Sequence, residues 1–181
     1  MKTLYIDTHF KNVCIAFYDN YELIRKEEVF DKQNNSELIF PAIVKVLDDE
    51  DFDEIVVING PGSFTGVRLG VTIAKTFAYI LKKPIKVISS LKAMAISSGK
   101  TKVALFDNNG YYLGVFDDNF HEVADYCYVN KDEIDISTYL VDATINPDLV
   151  VKYMANEEAV DANMANPIYI KKIGVEIDKK S

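Results

Sequence analysis

The residues best suited to chemistry lie in a glycine-rich segment that separates a short apolar run from a long one. The segment reads GPGSFTGVRLG from Gly60 to Gly70. Unpaired backbone amides at the start of a helix bind anions, and the helix dipole assists them. The segment lacks the lysine of a P-loop and misses the dinucleotide spacing of glycines by one residue. It therefore predicts either a phosphate site or a tight turn before a capped helix.

Other reactive side chains are few. Cys14 and Cys127 cannot form a disulfide framework, and His9 and His121 stand alone without the spacing of metal ligands. The sequence shows no recognisable serine, cysteine or metal triad, which argues against a peptidase. A nuclease of the ribonuclease H type needs several carboxylates around a metal pair, and only Asp7 is placed for that.

The charge balance bears on nucleic-acid binding. The 181 residues carry 28 acidic and 20 basic side chains, a net charge of −8, so the surface repels phosphate backbones at long range. The candidate basic spots are Lys82-Lys83 and Lys171-Lys172. Asp7 interrupts the opening run where a signal peptide would be apolar. We expect a cytoplasmic protein that does not associate with membranes.

The elements that position the glycine segment follow from hydrophobic patterning. Strands are predicted over 3–6, 13–18 and 21–30, a helix over 36–47, a strand over 54–59, a helix over 66–81, a strand over 85–88 and a helix over 91–96. A second unit then repeats the opening: the strand 103–106 ends in Asp107 as the first strand ends in Asp7, and Asn109-Gly110 is a hairpin signal. A second strand over 111–116, a third over 121–129 and a weak helix over 147–158 follow. We expect two halves, 1–98 and 99–181, each built on a mixed sheet.

The two long helices carry apolar faces wider than one-sided packing on a sheet requires. In the second helix, Val67, Val71, Ala74 and Ala78 form a stripe for the sheet, and further apolar residues lie beside it. The two helices can absorb this surplus by packing on each other, or they can form a docking face for another subunit. The predicted partner contacts are Ile43, Leu47, Leu69, Ile73 and Ile80.

Taken as a whole string, GPGSFTGVRLG followed by a helix and a strand resembles the TsaB family, also called YeaZ, of tRNA threonylcarbamoyladenosine biosynthesis. The resemblance extends to the opening LYIDT, to Asn35-Ser36-Glu37 with Pro41, to Ser89-Ser90-Leu91 and to the closing PIYIK from Pro167. Asn35 stands where the family usually has histidine, no glycine follows Asp7, and the second half is shorter than is typical.

The resemblance implies an actin-like ATPase fold with duplicated ribonuclease-H-like halves, mixed sheets with flanking helices, and a shortened second half. In that superfamily the aspartates at the positions of Asp7 and Asp107 approach phosphates or their metal. The residues that could contact a phosphate or nucleotide are then Asp7, Gly60, Gly62, Ser63, Thr65, Gly66 and Arg68. Alternatively, each aspartate simply ends a strand and caps a turn.

The resemblance also implies a non-catalytic role. The related catalytic subunit carries a metal-binding His-x-x-x-His motif, which is absent here, and transfers threonylcarbamoyl to the adenosine beside the tRNA anticodon. The expected partners are that subunit, a small ATPase of the same complex and a second copy of this chain, with tRNA bound only through the complex. No tightly bound cofactor is expected, although ATP or ADP could sit at the subunit interface. The alternative function is an actin-like metabolite kinase or ATPase.

Overall fold

Two mixed β-sheets with helices beside and between them make up the structure, a computed structural model that describes residues 1–10, 12–30 and 35–170. The strands of the first sheet are β1 (Lys2–Asp7), β2 (Asn12–Asp19), β3 (Glu22–Phe30), β4 (Glu54–Ile58) and β5 (Ile85–Ile88). Their order is β3-β2-β1-β4-β5. The first three strands are antiparallel neighbours, whereas β4 and β5 run parallel to β1. Every residue of β4 is buried, as its continuous apolar run predicts.

The second sheet repeats this topology with fewer residues. Its strands are β6 (Lys102–Asp107), β7 (Gly110–Val115), β8 (Cys127–Asn130) and β9 (Leu140–Val141), in the order β8-β7-β6-β9. Here too, three strands pair antiparallel and the next one along the sheet lies parallel beside the first. The predicted duplication is therefore present in the connectivity, and the two-residue β9 makes the second half the smaller one.

Four α-helices are described: α1 (Asn35–Leu47), α2 (Phe64–Leu81), α3 (Ser90–Ser98) and α4 (Pro147–Met154). The helix α2 begins two residues earlier than predicted because Ser63 caps it, accepting the Gly66 amide at 3.3 Å. Pro41 lies inside α1 rather than at its start. By length and composition alone, α2 is apolar enough to cross a membrane. This is weak evidence for a membrane span, because the core helix of a globular protein passes the same test.

The helices form two layers around the first sheet. On one face, α1 and α2 pack with the sheet into the larger core, which contains the predicted stripe Val67, Val71, Ala74 and Ala78. On the other face, α3 and α4 pack against Tyr5, Val56 and neighbouring residues. The opposite side of α3 packs on the second sheet. The helix α3 is thus buried between the sheets, and it holds the two halves together.

A buried ion pair fastens α4 to the first sheet. Lys86 Nζ on β5 lies 2.9 Å from Glu54 Oε2 on β4, and both side chains are less than one-tenth exposed. Lys86 Nζ also donates to the carbonyl oxygen of Met154, the last residue of α4, at 2.9 Å. Thr3 donates to Glu54 Oε1 at 2.9 Å. Each charge therefore has a charged partner and a further hydrogen bond, as burial requires.

Residues 159–170, called the return segment below, run back from α4 along the first half. Val160 bridges to Ile85 at the edge of the first sheet. The Ile168 amide donates to the carbonyl oxygen of Asn59 at 2.8 Å, and Asn59 Nδ2 donates to the Asn166 carbonyl at 3.0 Å. The return segment therefore ends beside the glycine segment. The basic pair Lys171-Lys172 lies outside the described residues.

Candidate functional site

The turn that joins β1 to β2 carries a buried aspartate–histidine pair. Asp7 Oδ1 accepts the backbone amide of His9 at 3.0 Å and lies 2.6 Å from His9 Nδ1. The Tyr5 hydroxyl donates to the other carboxylate oxygen at 3.4 Å. Asp7 and His9 are 5% and 8% exposed. Because an ionised carboxylate only accepts, we assign a proton to Nδ1 of His9. Donors from its own chain thus occupy the carboxylate of Asp7.

The glycine segment packs directly on this turn. A Cβ added at Gly62 would overlap the carbonyl oxygen of His9, and one at Gly66 would overlap the carbonyl oxygen of Thr8. A Cβ at Gly70 would overlap the Thr8 hydroxyl. Three glycines four residues apart therefore lie along one line of contact, where each lets the backbone approach closely. Close approach of two chain segments explains these glycines without a ligand.

Amides at the start of α2 take part in the same contact. The Ser63 amide donates to the carbonyl oxygen of His9 at 2.6 Å. The Gly66 amide donates to the Ser63 hydroxyl oxygen, and the Thr8 hydroxyl donates to the Gly66 carbonyl at 2.7 Å. Two of the amides that a phosphate would use are therefore already hydrogen-bonded within the chain.

These residues do not fit a magnesium–nucleotide complex of the actin-like type. Such a complex needs oxygen ligands for the metal and free amides for the phosphates. The Asp7 carboxylate is paired with His9, and the Ser63 amide is used by the same residue. Within residues 1–10, 12–30 and 35–170, no three His, Cys, Asp or Glu side chains are grouped to hold a metal ion. The described groups of the turn are therefore engaged with the glycine segment and are not arranged to hold a metal-bound triphosphate.

The other predicted phosphate contacts are Gly60, Thr65 and Arg68. Gly60 has a φ of 96° and lies beside the carbonyl oxygen of Ile168. Thr65 is exposed on the first turn of α2. Arg68 is exposed one turn further on, with its guanidinium carbon 4.4 Å from the centre of the Phe64 ring. Of these three predicted contacts, only Arg68 lines the cleft described next.

A cleft of about 940 Å³ lies between the glycine segment and the turn that joins β6 to β7, and the return segment forms a third wall. It is called the inter-sheet cleft below. Its aromatic lining residues are Phe10, Phe64, Phe106, Tyr112 and Tyr169, and its polar ones are Ser63, Arg68, Asp107 and Asn108. Asp7 instead lines a second cavity of about 260 Å³. The structure therefore places the two aspartates of the duplicated hairpins in different cavities.

Asp107 is engaged by its own hairpin, as Asp7 is. The Tyr112 hydroxyl donates to Asp107 Oδ2 at 3.0 Å, and Asn108 Nδ2 donates to Oδ1 at 3.0 Å. Burial and then the hydrogen bond to Asp107 raise the pKa of Tyr112 to about 12. The Tyr112 hydroxyl is therefore a neutral donor at physiological pH.

The second cavity brings His9 and Cys14 together with Asp7. Burial, followed by the charge of Asp7, raises the pKa of the Cys14 thiol to about 12. A protonated thiol is a poor nucleophile, which argues further against a peptidase. The pairing of His9 with Asp7 was not predicted from the sequence. The signal was available, because an aspartate at the start of a turn commonly accepts the backbone amide two residues further on.

One predicted partner contact is wrong. Ile43 is 1% exposed and belongs to the core beneath α1. It lies four residues after Ile39 and three before Val46, both buried, so this stripe faces the sheet. Ile43 therefore cannot contact a partner.

The remaining predicted contacts lie nearer the surface, on α1 and α2. Leu47, Leu69 and Ile73 are half-buried against the core, whereas Ile80 is 68% exposed. Their role as partner contacts remains a prediction.

The exposed apolar side chains of α1 and α2 form a continuous band. Phe40 and Val44 are each 55% exposed, one turn apart on α1. The ring of Phe40 contacts that of Phe77 on α2 at 6.4 Å, and Ile80 and Leu81 lie one turn beyond Phe77. These five residues are called the α1–α2 face below. The helices thus pack on each other in part and still leave apolar surface exposed.

Comparison with known sequences gives relatives over about half of the chain. The family model of TsaD, tRNA N6-adenosine threonylcarbamoyltransferase, matches residues 27–108. The tRNA threonylcarbamoyladenosine biosynthesis protein TsaB of Bacillus subtilis is 41% identical over 100 residues, which are 52% of this chain and 44% of that protein. TsaB of Buchnera aphidicola is 32% identical over 97 residues, 51% of this chain and 46% of that protein. The matches thus span less than half the length of these curated relatives.

Comparison of folds extends over nearly the whole chain. YeaZ from Pseudomonas aeruginosa superposes with a TM-score of 0.77 at 19% identity, covering 93% of this chain and 99% of that one. Sequence and fold together support the TsaB/YeaZ family for this chain. The predicted fold class is confirmed, since the duplicated mixed sheets are those of YeaZ. The glycine segment, α1 and α2 all lie within residues 27–108, which match the TsaD family model.

Proposed function

We propose that this chain is a non-catalytic subunit required for forming the threonylcarbamoyl group on the adenosine next to the anticodon of tRNAs. The supporting observation is the agreement between the TsaB relatives, which match about half of the chain, and the YeaZ fold of nearly the whole chain. The site geometry is consistent with this role. Asp7 and Asp107 are hydrogen-bonded within their hairpins, and Cys14 is protonated.

The chain acts by pairing with the catalytic transferase subunit through the α1–α2 face. That face lies within residues 27–108, which match the transferase family model. Two chains with similar segments can present similar surfaces to each other, as the two subunits do in an isologous interface. An exposed apolar band also gains free energy when it is covered, at about 25 cal/mol per Å². The same face serves a homodimer when the transferase is scarce.

Further partners follow from the same role. A small ATPase associates with the complex, and ATP or ADP binds at the interface between subunits rather than in the turn of Asp7. The tRNA contacts the complex, because the net charge of −8 opposes binding by this chain alone. A protein that takes part in tRNA modification is expected in the cytoplasm.

Co-purification from the native cell followed by mass spectrometry tests the pairing. A tagged chain is expected to bring down a threonylcarbamoyltransferase-type subunit. Ile80→Glu is expected to abolish this, because an unpaired carboxylate buried at an apolar interface is costly. Ile73→Glu is expected to act likewise, but Ile73 is half-buried against the core, so the exposed Ile80 gives the cleaner variant. Val123→Glu is the matched control, since Val123 is 59% exposed in the second half.

Circular dichroism of each purified variant separates folding from binding. Capture of the transferase by the wild type and by Val123→Glu, with none by a folded Ile80→Glu, supports the proposal. Equal capture by all three would contradict the assigned face. Absence of the transferase from the wild-type sample would contradict the proposed function.

A further inference from the structure

The two edges of the first sheet differ in what lies along them. At the β5 edge, Val160 of the return segment bridges to Ile85. The other edge is β3, which is nine residues long. Among the residues that the structure describes, β2 is the single strand that pairs with β3. A long edge strand offers its outward backbone amides and carbonyls to a strand from another chain.

The second half of β3 is regular enough to accept such a strand. The register between β2 and β3 shifts at Phe17 and Tyr18, where it passes over Ile24. From Arg25 onwards the two strands pair residue by residue. A bulge twists an edge away from a neighbour, whereas a regular stretch can be extended by one. Residues 25–29 are called the pairing stretch below.

One face of the pairing stretch carries a cation and an anion. Lys26 and Glu28 pair with Ala16 and Cys14 of β2, which belong to the core on the side of α3 and α4. Residues opposite each other in an antiparallel pair share a face, so Lys26 and Glu28 both lie on that side. Lys26 Nζ lies 2.8 Å from Glu28 Oε1, and both side chains are partly exposed.

We propose that two copies of this chain pair antiparallel through the pairing stretch, about a two-fold axis perpendicular to the sheet at Glu27. In that register Lys26 of each copy lies opposite Glu28 of the other, and Arg25 lies opposite Val29. Opposite charges directly across two strands stabilise the pair. The contact is isologous, and it joins the two first sheets into one continuous sheet.

The charges select this register over its neighbours. A two-fold axis at Lys26 would bring the two Lys26 side chains together, and an axis at Glu28 would bring the two Glu28 side chains together. Like charges directly opposite each other destabilise a pair of strands. With the axis at Glu27, two Glu27 side chains meet on the other face of the sheet. Each of them already lies 2.7 Å from Lys45 Nζ of its own α1, which offsets its charge.

The net charge of −8 does not oppose this contact. Residues 1–98 contain nearly equal numbers of acidic and basic side chains, and most of the acidic excess lies beyond them. A contact of this length buries little surface, so the dimer is expected to be weak. The pairing stretch shares no residue with the α1–α2 face. The inference therefore does not rest on the proposed function.

Sedimentation velocity of the full chain tests the proposal. Ile80→Glu is included in every sample, because it removes association through the α1–α2 face. This chain is expected to form a reversible dimer between micromolar and millimolar concentration. Adding Lys26→Glu, or adding Glu28→Lys, puts like charges opposite each other in both cross-strand pairs. Either change is expected to weaken the dimer about tenfold or more.

Mixing the two charge variants is the decisive sample. The Lys26→Glu chain then carries two acidic side chains in the pairing stretch, and the Glu28→Lys chain carries two basic ones. Opposite charges again lie across the strands, so the mixture is expected to associate although neither variant does so alone. The double variant Lys26→Glu with Glu28→Lys is also expected to dimerise. A role of these residues within one chain would not give rescue by mixing.

A disulfide at the axis locates the contact. Glu27→Cys places two thiols opposite each other with Cα atoms about 4.5–5.5 Å apart, which a disulfide can span. Oxidation is expected to give a covalent dimer. Glu22→Cys is the matched control, because Glu22 is exposed on β3 outside the pairing stretch. The unchanged chain gives the background from Cys14 and Cys127.

Circular dichroism confirms that each variant is folded before it is scored. The proposal is overturned if the Ile80→Glu chain stays monomeric at millimolar concentration or if the mixture of charge variants does not associate. It is also overturned if Glu27→Cys forms covalent dimer no faster than Glu22→Cys. A chain that dimerises through β3 but captures no transferase would keep this inference and remove the proposed function.

Discussion

The contact between Gly70 and Thr8 offers a test of whether the glycine segment needs glycine for close packing. Thr8 is 1% exposed, and its hydroxyl lies where a Cβ on Gly70 would be. Gly70→Ala gains about 1 kcal/mol of helix propensity. It also overpacks the contact, at a cost of about 1–3 kcal/mol. We expect the free energy of unfolding to fall by up to about 2 kcal/mol.

Removing the obstructing side chain should reverse this effect. Thr8→Ala loses the hydrogen bond to the Gly66 carbonyl, about 1 kcal/mol, and a buried methyl group, about 0.8 kcal/mol. In the double variant the new methyl of residue 70 enters the vacated space. The double variant should therefore be more stable than the sum of the two single changes predicts, by about 1–2 kcal/mol.

Urea unfolding followed by far-UV circular dichroism measures all four proteins, with a common m-value confirming that the denatured states are comparable. Gly70→Ala combined with Val123→Ala serves as the control, because Val123 lies in the second half and shares no contact with Gly70. That pair should be additive. If Gly70→Ala and Thr8→Ala are additive to within about 0.5 kcal/mol, the packing explanation of the glycine segment is refuted.

Three further outcomes follow from the structure. Lys86→Met should lower the free energy of unfolding by about 3–5 kcal/mol, because it leaves Glu54 buried without its charge partner. A loss below about 1 kcal/mol, measured by urea unfolding, would contradict this. Because the pKa of Cys14 is raised to about 12 from its ordinary value near 9, the unfolded state releases this proton first, so stability should fall as pH rises from 9 towards 12. Cys14→Ala should flatten that slope, and an unchanged slope would count against the burial of the thiol. In gel shifts at physiological salt the isolated chain should not bind tRNA with sub-micromolar affinity, because its net charge is −8; a tight shifted band would overturn this.

Much of the fold could be predicted because local patterns agree with the tertiary structure. The fully buried β4 reads as a continuous apolar run, and the stripe of α2 that includes Val67 and Val71 repeats at helical spacing. The predicted strand over 121–129 forms only as β8 (Cys127–Asn130). Asp117 accepts the amides of Asn119 and His121 in a turn just before the predicted strand, and Glu122 then pairs with Phe116 only as an isolated bridge.

The site was harder to predict because its residues serve contacts that only the tertiary structure shows. The resemblance implies that Asp7 approaches a phosphate or a metal. In the structure its carboxylate is instead hydrogen-bonded to His9, which follows two residues later in the chain. Ile43 and Ile80 both occupy apolar positions in the helical wheels of their helices, yet the first faces the sheet and the second faces solvent. The aromatic cleft combines side chains from three distant parts of the chain, which no local spacing reveals.

The central claim is that the chain supports tRNA modification through the α1–α2 face, and the threonylcarbamoyladenosine content of cellular tRNA tests it most directly. After depletion of the chain, the modified nucleoside measured by liquid chromatography and mass spectrometry should fall. The wild type and Val123→Glu should restore it, whereas Ile80→Glu should not. Unchanged modification after depletion, or full restoration by Ile80→Glu, would contradict the account.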